Sequence, residues 1–131
     1  MLHAMAVKDY MTASLITFTP DMDVLDAIHL LLKHRISGAP VVDNHGNIVG
    51  LLSEKDCIRV ALTASYHEES GGKVSEFMTT KVETVEADAS LVDVAELFLS
   101  TPFRRFPVME DSRLVGQISR RDVLKALESL W

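Results

Sequence analysis

The sequence predicts an α/β fold of the mixed, α+β kind. Two related units of strand, helix, strand, strand and helix pack through their sheets about a pseudo-two-fold axis. Three observations predict this. First, the chain repeats itself: "VKDYMT" (Val7–Thr12) returns 67 residues on as "VSEFMT" (Val74–Thr79), and "IVGLLSEKDCI" returns as "LVGQISRRDVL". Second, each copy carries one stretch of helical periodicity, then two short apolar runs separated by a turn, then a second helical stretch. Third, a copy of about 60 residues buries too little surface to be stable alone, so the two copies should pack against each other.

The elements follow in order. Each copy opens with a short helical turn and a strand. Asp21 or Asp23 can cap the first long helix, whose apolar stripe is Val24, Ala27, Ile28, Leu31 and Leu32. The second copy places Leu91, Val94, Ala95, Phe98 and Leu99 at the same stations, and Pro102 ends that helix. "APVVD", "NHGN" and "IVGLLS" read as strand, turn and strand, a hairpin that "FPVME", "DSR" and "LVGQIS" repeat with a shorter turn. The last helices begin just after Ser53 and Ser119. Between the copies, "TASYHEESGGK" (Thr63–Lys73) is polar, holds the Gly71-Gly72 pair and reads as a loop. The boundaries expected are residues 1–63 for the first repeat, 64–73 for the linker and 74–131 for the second.

Composition excludes several functions. The formal net charge is −6 and no basic run is present, which disfavours nucleic acid as a partner. The single cysteine, Cys57, allows no internal disulfide framework, and a small apolar role fits it better than a redox switch. His3, His29, His34, His45 and His67 lack metal-ligand spacing. No nucleophile elbow, phosphate-binding glycine loop or dinucleotide fingerprint occurs, so no enzyme is expected. The N-terminal stretch does not resemble a signal peptide, and no apolar run is long enough to span a bilayer. A cytoplasmic protein that does not engage membranes is the expectation.

Two polar stretches remain, "SEKD" (Ser53–Asp56) and "SRRD" (Ser119–Asp122). Ser-x-x-Asp before an amphipathic helix fits a capping box, in which serine accepts from the third helical N–H and the acid reaches back to the serine N–H. Each such cap contributes about 1 kcal/mol. The same place suits a ligand, because a helix N-terminus favours phosphate and a carboxylate there can accept both hydroxyls of a ribose. Spacing alone leaves both readings open.

The ordered set "VKDYMT", "APVVD", "VGLLSEKD", repeated as "VSEFMT", "FPVME", "VGQISRRD", resembles a tandem pair of cystathionine β-synthase (CBS) domains, a Bateman module, over nearly the whole chain. The resemblance implies β-α-β-β-α units and clefts that take adenosine-containing ligands: AMP, ADP, ATP or S-adenosylmethionine, as a regulatory ligand rather than a required cofactor. It assigns ribose contacts to Ser53 and Asp56 and to Ser119 and Asp122. It adds, for phosphate or base, Ala13, Ile16, Thr17, Thr80 and Val82 after the "MT" turns. Arg35, Ser37, Gly38, Ala39 and Pro40, with Arg104, Arg105, Phe106 and Pro107, are added around the Pro-Val strands.

The copies differ in charge at these places. Glu54 and Lys55 cancel between the first serine and aspartate, whereas Arg120 and Arg121 are both positive in the second. His34 and Arg35 precede the first Pro-Val strand, and Arg104 and Arg105 the second. Phosphate binding is therefore expected to lean on the second copy's arginines. Apolar residues outside the main stripes, Leu25, Leu30, Val92 and Leu97, together with Val60, Leu62, Leu130 and Trp131, predict a homodimer. The function expected is a stand-alone regulatory module that binds an adenosine nucleotide and signals to an unknown effector protein or through its own assembly. The alternative is a non-catalytic dimerisation module with degenerate pockets, in which both serines only cap helices.

Overall fold

The computed structural model describes residues 2–13, 15–67 and 71–131, with the backbone alone for Leu2 and residues 64–67. The elements alternate as the periodicity predicts. After a 3-10 turn at Val7–Asp9 come α1 (Val24–His34), β1 (Gly38–Val42), β2 (Ile48–Ser53) and α2 (Glu54–His67). A second helical turn, α3 (Val74–Phe77), precedes β3 (Val85–Glu86), α4 (Leu91–Ser100), β4 (Arg105–Glu110), β5 (Arg113–Ser119) and α5 (Arg120–Glu128).

The chain forms two compact units, one of Ile16–Val82 and one assembled from Met1–Leu15 with Glu83–Trp131. Repeat and unit are thus different partitions of the chain, because the two copies exchange their leading segments. Val7 is fully buried in the split unit, and its N–H donates to Ala89 O at 2.9 Å. Val74 is as fully buried in the Ile16–Val82 unit, and donates to Met22 O at 2.8 Å. Each "MT" turn then crosses the other copy's hairpin. Thr12 pairs with Gln117 through bonds of 2.9 and 3.0 Å, and Thr79 pairs with Leu51 through bonds of 2.9 and 2.8 Å.

Each hairpin is antiparallel and carries a register shift at the same place, Val41/Val42 and Val108/Met109. Beside β4 lies β3, parallel to it. Among the described residues, the first copy keeps one isolated bridge there, between Phe18 and Val41: Phe18 N–H donates to Pro40 O at 2.9 Å, and Val42 N–H to Phe18 O at 2.8 Å. In the turn of the first hairpin, Asp43 accepts the N–H groups of Asn47 and His45, each at 2.9 Å. These bonds, that of Asn47 foremost, hold its carboxyl below the usual carboxylate range.

Asp23, not Asp21, caps α1, accepting Leu25 N–H at 2.9 Å; Ser90 caps α4, accepting Asp93 N–H at 3.2 Å. The buried stations of α1 are Val24, Ala27 and Leu31, and those of α4 are Leu91, Val94 and Phe98. Two stripe residues depart from expectation: Leu32 and Leu99 are 71% and 90% exposed. They lie at the edge of the stripe, where a narrow contact with the sheet does not reach. The loop expected at Thr63–Lys73 is also corrected. Helix α2 continues to His67, and the Thr63 hydroxyl donates back to Arg59 O at 3.0 Å. The rest of that stretch before Gly71, residues 68–70, lies outside the described residues, as do Met1 and Ser14.

Candidate ligand-binding site

The end of each hairpin delivers a serine directly onto a helix N-terminus. Ser53 closes β2 opposite Gly38 in the ladder, and Glu54 N–H, the first of α2, donates to Ser37 O at 2.9 Å. Ser119 closes β5 opposite Arg105, and Arg120 N–H donates to Arg104 O at 3.1 Å. Ser37 and Gly38 in the first copy, and Arg104 and Arg105 in the second, are thereby brought beside the Ser-x-x-Asp element of their own copy.

Both capping boxes are formed. Asp56 N–H donates to Ser53 Oγ at 3.2 Å, and Ser53 N–H donates to Asp56 Oδ2 at 3.0 Å. Asp122 N–H donates to Ser119 Oγ at 3.2 Å, and Ser119 N–H donates to Asp122 Oδ2 at 2.9 Å. Among the described residues these aspartates are the only buried charged side chains, with 4% and 8% of their surface exposed. A buried carboxylate is costly unless hydrogen-bonded, and surface caps do not require such burial.

The two carboxylates are bonded differently. Asp56 also accepts the Ser53 hydroxyl at 3.0 Å and the Thr79 hydroxyl at 3.2 Å to Oδ1 and 3.4 Å to Oδ2, and Arg59 Nη1 lies 3.9 Å from its Oδ1. Thr79 was missed by sequence reasoning. The signal available was the "MT" that recurs in both copies, but nothing in the sequence links that turn to a serine 26 residues upstream.

The remaining predicted residues divide between the units. Ile16, Thr17, Arg35, Ser37, Gly38, Ala39, Pro40, Thr80 and Val82 belong with Ser53 and Asp56; Ala13, Arg104, Arg105, Phe106, Pro107, Arg120 and Arg121 belong with Ser119 and Asp122. Ala13 is thus parted from Ile16 and Thr17. Ala39 and Pro40 are buried, paired with Leu52 and Leu51 in the ladder, and the Pro40 carbonyl is taken by Phe18 N–H. Phe106 is fully buried, its ring 4.5 Å from Phe98 and 6.1 Å from Phe103 between centroids, so its side chain is core. Arg35 is exposed and adopts φ 53°, a left-handed cap that turns the chain from α1 into β1. Cys57, next to Asp56, has its thiol pushed up to about 11 by burial and then by the charges of Asp56 and Glu54. Among the described residues, no three His, Cys, Asp or Glu side chains gather as metal ligands, and no helix is long and apolar enough to cross a membrane.

This duplicated architecture is that of a known family. The model of the CBS domain matches residues 7–63 and 74–129, and the chain belongs to that family. It is similar to the uncharacterized protein MJ1225 of Methanocaldococcus jannaschii, 32% identical over 95% of this chain, although the chain spans only 44% of that protein's length. Its fold matches that of CBSX2 of Arabidopsis thaliana, solved in complex with AMP, with a TM-score of 0.83 and 32% identity over 95% of this chain and 97% of that one. It also matches the CBS domain pair of protein MJ0100, solved with 5′-methylthioadenosine and S-adenosyl-L-methionine, with a TM-score of 0.81 and 26% identity over 98% and 99% of the two chains.

Proposed function

We propose that this chain is a regulatory, non-catalytic CBS-domain pair. It holds an adenosine-containing ligand through Ser53 and Asp56 and through Ser119 and Asp122, and passes occupancy to an effector protein or through its own homodimer. The observation that carries this reading is the pair of buried carboxylates, placed identically at two helix N-termini. The ligands named for CBSX2 and MJ0100 support the chemical class, since AMP, 5′-methylthioadenosine and S-adenosylmethionine share the adenosine ribose. The alternative, a dimerisation module whose serines only cap helices, draws support from the completed capping boxes.

Phosphate is read by the second copy. Arg104, Arg105, Arg120 and Arg121 are four of the seven Lys and Arg residues of the split unit, and the Arg105–Ser119 pair and the bond from Arg120 N–H to Arg104 O hold the backbone of Arg104 and Arg105 beside the start of α5, which supports this reading. The same stations in the first copy hold Ser37, Gly38, Glu54 and Lys55, with no net charge. Arginine pairs phosphate oxygens through a planar fork.

The test is calorimetry and thermal shift with AMP, ADP, ATP, adenosine and S-adenosylmethionine. A ligand at about 100 times its Kd should stabilise the fold by about 2.7 kcal/mol, a rise of several degrees in Tm. Asp56→Asn and Asp122→Asn should each weaken binding by about 1.5–3 kcal/mol at their own site. Arg104→Ala and Arg121→Ala should weaken ATP more than adenosine, a gap that added salt narrows. Variants that melt lower yet bind unchanged would leave only the capping role.

A further inference from the structure

We propose that the Thr79 hydroxyl is an internal competitor for the ligand at Asp56, which sets the affinity of the first Ser-x-x-Asp element below that of the second. The inference rests on the reading of Asp56 as a ligand-holding carboxylate. An ionised carboxylate offers about four lone-pair directions. At Asp56 three are taken by the chain itself: Ser53 N–H, the Ser53 hydroxyl and the Thr79 hydroxyl. A vicinal diol needs two. Ser53 N–H cannot leave without undoing the start of α2. Thr79 can, because it is an exposed residue whose backbone stays paired to Leu51 while its side chain turns. The freed hydroxyl then bonds to water.

The second copy holds the same motif without the competitor. Thr12, the counterpart of Thr79, keeps the same backbone pair, here to Gln117. Among the described residues, however, Asp122 accepts the Ser119 N–H and no hydroxyl. One carboxylate is occupied by its own chain and the other has lone pairs to offer, so Asp122 should fill first. Thr79 acts through Asp56 and is a positioning residue.

The experiment titrates AMP and 5′-methylthioadenosine by calorimetry into Asp122→Asn protein, where Asp56 is the intact carboxylate. Thr79→Val should tighten binding about tenfold, the low end of what a hydrogen bond to a charged group contributes. Thr79→Ser should bind as the parent does, because it restores the hydroxyl. Thr79→Ala should tighten binding as valine does, which guards against a folding defect in the valine variant. Thr12→Val in Asp56→Asn protein should leave affinity unchanged. Unchanged or weaker binding by both Thr79→Val and Thr79→Ala would overturn the proposal alone. Loss of all binding in Asp122→Asn protein, with binding intact in Asp56→Asn protein, would overturn the reading of Asp56 itself.

Discussion

Cys57 makes the residue scale concrete, because its neighbours decide its chemistry. It occupies the position after Asp56 on α2, half-buried against the core of its unit. Burial and two carboxylates raise its thiol to about 11. At pH 8 only about one thiol in a thousand is then ionised, and the thiolate is the reactive form. Iodoacetamide should therefore modify Cys57 slowly at neutral pH, with a rate that climbs about tenfold per pH unit toward 11. Asp56→Asn should lower that midpoint, since it removes a negative charge that raises it. A rate that levels off near pH 8.5 would contradict this environment. The sequence anticipated an unreactive small residue, because Cys57 is the single cysteine and Val123 stands at its place in the second copy. The hydroxyl of Thr79 on Asp56 was not legible there, because capping is local in sequence whereas that bond spans 23 residues.

At the scale of elements, two glycines make the exchange of leading segments possible. Gly50 lies in β2 under the Met78–Thr79 turn, where an added Cβ would stand 2.7 Å from Met78 Sδ and 2.9 Å from Thr79 O. Gly116 in β5 repeats the arrangement, 2.6 Å from Met11 Sδ and 2.8 Å from Thr12 O. The methionine could yield, but each carbonyl is fixed by its bond to the strand. Gly50→Ala and Gly116→Ala should each cost about 1–3 kcal/mol by urea unfolding, as overpacking does. Gly46, with φ 84° and open space around it, should cost less on change to alanine, about 1 kcal/mol from backbone strain alone. If Gly50→Ala proved neutral, the crossing of the turn over β2 would be wrong. The repeated "VG" was visible in the sequence, but a strand glycine alone marks only a close approach and does not say which segment approaches.

At the scale of the whole molecule, the helices of both units present exposed leucines and an isoleucine. In the Ile16–Val82 unit, Leu32 and Ile58 are 71% and 65% exposed; in the split unit, their counterparts Leu99 and Leu124 are 90% and 63% exposed. Between α4 and α5 an open groove of about 550 Å³ is lined by Ala95, Phe98, Leu99, Val123 and Leu124, with Thr101 and Arg120 as its polar members. Part of the patch expected from the sequence is not available: Val60 is core, and Leu30 and Leu97 pack partly against their cores. The exposed leucines still favour the proposed homodimer. Light scattering should return twice the 14.5 kDa of the chain, and Leu32→Glu with Leu99→Glu should return a monomer with a near-parent Tm. A monomer mass for the parent at micromolar concentration would count against the dimer.

What the sequence determined by itself was whatever depends on neighbours in the chain: the duplication, the alternation of helix and hairpin, the caps Ser53 and Ser119, and the carboxylates Asp56 and Asp122 that complete their capping boxes. These rest on periods of 2 and about 3.6 residues and on i to i+3 contacts, which local order fixes. The tertiary structure alone decided which copy's "MT" turn lies on which hairpin, that α2 runs on through Thr63, and that Leu32 and Leu99 face outward while Val60 faces in. Two similar repeats offer similar surfaces to either leading segment. The choice between them is made by long-range packing and by the length of chain that must be spanned, and neither is written in a short window of residues.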